Sequence, residues 1–131
     1  MELCESNTDE SSPVLRQSDT CRRWTGWNAT DTAWFPTPTY WRLLETRLQL
    51  IVLDETYGDV LDRPAQVGHN TLAMIRLIAE SLRREQVLSK QSQLVLTHLA
   101  LNHHSLHAEL AAVLQADGLV PGYDGMVIEI Q

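Results

Sequence analysis

The sequence predicts an all-α fold: a small bundle of three main helices, at about 39–61, 65–86 and 90–117, with a disordered N-terminal arm and a short C-terminal strand. Three observations predict it. Apolar residues recur at spacings of three and four from Tyr40 to Leu114. Arg63-Pro64 and Asp117-Gly118 supply stops between and after these stripes. The first 23 residues are polar and carry neither a helical nor a strand period.

The elements follow in order. Residues 1–38 read as a flexible arm and 39–131 as the helical domain. Within the arm, Trp24, Trp27, Trp34 and Phe35 stand among Thr, Asn, Asp, Gly and Pro, and Pro36 and Pro38 close it. Thr39 is placed to cap the first helix, whose stripe is Tyr40, Trp41, Leu44, Leu48, Ile51 and Val52. The second helix carries Val67, Thr71, Met74, Ile75, Ile78 and Leu82 on one face. Ser89 is the next cap, and the third helix presents Val95, Leu99, Leu106, Leu110, Val113 and Leu114. After Gly118 the chain turns, and Met126-Val127-Ile128-Glu129-Ile130 reads as a strand that needs a partner for its backbone groups.

Charge narrows the function. With 17 Asp and Glu against 10 Lys and Arg, the net charge is −7, which disfavours nucleic acid and anionic membrane surfaces as partners. No apolar run is long enough to span a bilayer, and the first residues lack the basic start and apolar run of a secretory signal. The two cysteines, Cys4 and Cys21, are too few for a disulfide framework. A cytoplasmic protein with reduced thiols is expected.

No nucleophile elbow and no phosphate-binding glycine loop occurs. The aromatic group Trp24, Trp27, Trp34 and Phe35 has the composition of a partner-binding anchor. The leading expectation is therefore a non-enzymatic regulatory, inhibitory or accessory protein that binds another protein, as a homodimer, with no cofactor. The alternative is a helical metal-binding protein or metalloenzyme that uses the cluster His98, His103, His104 and His107. On a continuous helix His103 and His107 face the same way, at a spacing that can hold a divalent transition metal. A carboxylate from elsewhere, Asp54 or Glu80, would have to complete such a site.

Overall fold

A computed structural model describes residues 14–15, 25–59 and 68–130. The fold is α/β, not all-α, and is built on a four-stranded parallel sheet. Strand β1 is Val14–Leu15, β2 is Gly26–Ala29, β3 is Leu48–Asp54, β4 is Leu88–Thr97, β5 is Leu119–Pro121 and β6 is Val127–Ile128. Helices α1 (Thr37–Leu44), α2 (Leu72–Arg84) and α3 (His107–Gln115) connect β2 through β5, one per crossover. The sheet order is β2-β3-β4-β5, so each crossover advances by one strand. Right-handed crossovers that advance in one direction place every helix on the same face.

Burial agrees with that geometry. Leu43 of α1, Ile75, Ile78 and Leu82 of α2, and Leu110 and Leu114 of α3 form one core with Ile51 and Leu53 of β3 and Leu94 and Leu96 of β4. The alternate residues Leu50, Val52 and Val95 point to the other face, where Ile128, Met126 and Ile130 of the C-terminal segment cover them. Strands covered on both faces need apolar residues at every position, and β3 and β4 carry such runs.

This explains how the sequence misleads. A continuous run such as Leu50-Ile51-Val52-Leu53 fits a helical stripe as well as a buried strand, and periodicity cannot separate the two. The helix expected over 39–61 is α1 followed, after a break at 45–47, by β3. Thr46 helps make that break, donating its hydroxyl to the Leu43 carbonyl. The helix expected over 65–86 is shorter and begins at Leu72, capped by the Thr71 hydroxyl, which accepts from the Met74 N–H. The helix expected over 90–117 is strand β4, a turn and α3. Ser89 lies inside β4 and caps no helix.

The disordered arm also needs correction where it is described. Gly26–Ala29 pairs in parallel with Leu50–Leu53, and Ala29 and Phe35 are buried in the main core. Trp24, Cys4, Cys21 and Arg63-Pro64 lie outside the described residues. The C-terminal strand has a partner: Val127 and Ile128 pair with Val14 and Leu15.

Candidate metal centre

A parallel sheet gathers its chemistry at the carboxyl ends of its strands, where the connections to the helices begin. Four such residues converge here. Asp31 follows β2, Asp54 ends β3, His69 precedes α2 and His98 follows β4. Each offers one donor atom, and the four atoms lie within 4.8 Å of one another.

Asp54 is the buried centre of the group, with no solvent exposure. Its Oδ1 accepts from the Thr56 hydroxyl at 2.9 Å, and its Oδ2 lies 3.0 Å from His69 Nδ1 and 3.5 Å from His98 Nδ1. Thr56 Oγ1 also meets His98 Nδ1 at 2.8 Å. A hydroxyl has one proton. Once Thr56 donates it to Asp54, the hydroxyl accepts from His98 Nδ1–H, and the lone pair of that ring is left on Nε2. This Nε2 lies 3.8 Å from Asp31 Oδ1, which in turn is 3.7 Å from His69 Nδ1. The two imidazoles stack, with centroids 4.9 Å apart and planes 14° from parallel.

The backbone is arranged for this. Asp31 and His98 are two of the three non-glycine residues with positive φ among those described, at 56° and 60°. Such conformations persist where the surroundings over-determine them, and they concentrate at functional sites. Asn70 braces the loops by donating from Nδ2 to the carbonyls of Thr32 and Asp54.

The donor set fits a divalent transition metal. Two imidazole nitrogens and two carboxylate oxygens suit zinc or a similar ion. Ligands about 2.1 Å from a tetrahedral ion stand about 3.4 Å from each other. Here His69 Nδ1 lies 3.0 Å from Asp54 Oδ2 and 3.7 Å from Asp31 Oδ1, His98 Nε2 lies 3.8 Å from Asp31 Oδ1, and no pair in the group exceeds 4.8 Å. The group is open to solvent on one side, where Asp31 is 76% exposed.

Beneath it lies a second, buried pair. Glu55 Oε2 and His104 Nε2 are 3.2 Å apart with side chains 1% and 6% exposed. The contact falls outside hydrogen-bond geometry, yet neither atom has another polar partner. Burial pushes the Glu55 carboxyl up from 4.5 to about 7, against the lowering effect of the Gly58 N–H, with the Asp54 and Asp59 charges adding to the rise. Burial also lowers His104, against the neighbouring carbonyls of Thr56 and Glu55.

The other residues singled out from the sequence are dispersed. His103 lies in the turn before α3, edge-on to Tyr57 at 5.5 Å, and His107 opens α3 with Nε2 3.3 Å from the Pro121 carbonyl. They do not share a helix. Trp27 packs partly buried against the main core, Phe35 is buried within it, and Trp34 is exposed. Glu80 is an exposed residue of α2 outside the gathered group. Reading along the chain misses Asp31 and His69. Their signal is positional, because each sits in a strand-to-helix connection, and it becomes visible only once the β-α alternation is recognised.

No family model matches the chain, and no curated protein matches it. Among solved structures it is similar to one described as the crystal structure of a new diphosphatase from the PhnP family, with 24% identity and a TM-score of 0.59. The match covers 84% of this chain and 37% of that one, so the chain spans little more than a third of that protein's length. The likeness supports the α/β fold. No helix among the described residues is long and apolar enough to cross a membrane.

The non-enzymatic regulatory reading is thereby corrected. It rested on the absence of catalytic motifs, an aromatic arm, an unpaired strand and a need for extra burial. The fold is instead α/β, Phe35 is in the core, and β6 is paired, while four potential metal ligands converge.

Proposed function

We propose that the chain binds a divalent transition metal through Asp31, Asp54, His69 and His98, and that the metal-loaded site hydrolyses a diphosphate-containing substrate. The observation that carries the reading is the convergence of those four side chains at the carboxyl edge of a parallel sheet. The similarity to a diphosphatase supports the substrate class.

Asp54, buried and held through Oδ1 by the Thr56 hydroxyl, would present Oδ2 to the ion beside His69, and Thr56 in turn fixes the ring of His98. His98 directs Nε2 outward, and Asp31 closes the group from the solvent side. A bound ion would supply Lewis-acid polarisation of a phosphoryl oxygen and would acidify a water molecule. The protein groups around the site make a cation necessary, because a diphosphate entering here would meet two carboxylates.

The test is zinc and manganese titration of untagged protein, followed by assays on inorganic diphosphate and a nucleoside diphosphate. We expect about one ion per chain, with loss of binding in His98→Ala and in Asp54→Asn. Metal-stimulated phosphate release should disappear in the same variants. Absence of metal binding by the parent chain defeats the proposal. Binding without hydrolysis of either substrate defeats its catalytic half.

A further inference from the structure

We propose that Glu55 and His104 form a positioning bridge that fixes the spacing between Asp54 and His98. This inference rests on the metal-binding reading above. Asp54 and Glu55 are consecutive at the end of β3, while His98 and His104 belong to the connection that leaves β4. The two strands are last joined by the backbone where the Glu55 N–H donates to the Thr97 carbonyl at 3.0 Å. Beyond that point, side chains carry the link. Thr56 meets His98 and Tyr57 meets His103 near the surface, and Glu55 meets His104 in the interior.

The interior contact is tied down on both sides. Glu55 Oε1 accepts from the Gly58 N–H at 2.7 Å, which curls the 55–58 turn around the carboxylate. Gly58 adopts a φ of +62° and lies so close to the His103 carbonyl that a Cβ would sit 2.3 Å from its oxygen. Only glycine permits that approach. The turn after β3 is therefore pressed onto the segment 103–104, with one carboxylate and one imidazole enclosed between them.

Packing alone does not account for this pair. Burying a carboxyl and an imidazole is costly, and apolar side chains of similar volume would stabilise the interface at least as well. What apolar groups cannot supply is a fixed register. Glu55 Oε2 and His104 Nε2 face each other at 3.2 Å and neither has a hydrogen-bond partner, so a shift of either loop would leave both buried atoms farther from the one polar group near them. Asp54 precedes Glu55 directly, so a shift of the turn moves the buried carboxylate and the Thr56 hydroxyl that orients His98.

The test compares Glu55→Gln, His104→Ala and the apolar double variant Glu55→Met/His104→Leu with the parent. The readouts are zinc affinity, the visible spectrum of the cobalt-loaded protein and thermal melting. The carboxamide of Glu55→Gln still spans the gap and should bind zinc within about threefold of the parent. His104→Ala and the double variant should bind about tenfold more weakly or worse, with an altered cobalt spectrum. That loss should appear in the double variant even where it melts no lower than the parent. Parental affinity and spectrum in a folded double variant or in His104→Ala would overturn the bridge. Should the parent bind no metal, the metal-binding reading fails separately. The imidazole nitrogen signals of His69 and His98 in the metal-free protein then decide: displaced by His104→Ala but not by Glu55→Gln, they support the bridge, and unmoved they refute it.

Discussion

At the scale of single residues, the site combines backbone strain with buried polarity. Left-handed backbone at a non-glycine residue costs about 1–2 kcal/mol, and Asp31 and His98 both adopt it. Their side chains thereby reach one point from different loops. Glu55 and His104 add a pH dependence whose sign can be worked out. The folded state holds a Glu55 proton between 4.5 and about 7 that the unfolded chain releases. This contribution to stability is complete below 4.5 and lost as the pH rises through about 7. His104 acts oppositely: its folded pKa is lowered from 6.5, so its contribution is present above 6.5 and lost as the pH falls below it. The two slopes oppose each other on the acid side, and only that of Glu55 remains above 6.5. Metal-free protein in chelator should therefore melt at lower temperature as the pH rises from about 6.5 through about 7, and the decline should level off about one unit higher. Glu55→Gln, which has no proton to lose, should flatten that decline. An equally steep decline in the variant would show that Glu55 is not its source.

At the scale of elements, local signals place α2 but not its neighbours. Thr71 is buried, its hydroxyl accepts from the Met74 N–H, and Arg83 and Arg84 occupy the last turn, where cations favour the helix dipole. Thr71→Ala should cost about 1 kcal/mol in urea unfolding, and Thr71→Ser should recover most of it. A Thr71→Ala variant as stable as the parent would mean the cap contributes nothing. Such a cap is legible in principle because it acts within a few residues, although the apolar periodicity sets Thr71 inside the stripe of a helix begun at about 65. The identity of β3 and β4 is not. Ile51 and Leu53 face the helices while Leu50 and Val52 face the tail, so the run carries no alternation to mark it as a strand. The same limit applied to the site. His98 and Asp54 can be picked out as a histidine of a cluster and a carboxylate after an apolar run. Their proximity depends on the parallel pairing that sets Leu53 beside Leu96 and Asp54 beside Thr97. Asp31 and His69 carry no sequence motif, and only the sheet brings them in.

At the scale of the whole molecule, the sheet is covered unequally. Among the described residues three helices bury one face, whereas the other is covered by a short C-terminal segment centred on Ile128, which is 2% exposed against Leu50, Val52 and Val95. Adjacent residues of a strand point to opposite sides, and Val127 is accordingly half exposed. This gives a matched pair of substitutions one position apart. Ile128→Asp forces a carboxylate against the apolar face, and its desolvation should release the segment and uncover the sheet. The expected result is a melting temperature well below the parent's, with binding of a hydrophobic dye before the main transition. Val127→Asp places the same charge in water and should change stability by less than about 0.5 kcal/mol. Equal effects of the two would mean that the segment is held by its backbone pairing with β1 and not by the seating of Ile128. A clear difference would mean that the seating of Ile128, beside Met126 and Ile130, is what keeps the segment on this face of the sheet that carries the candidate metal centre.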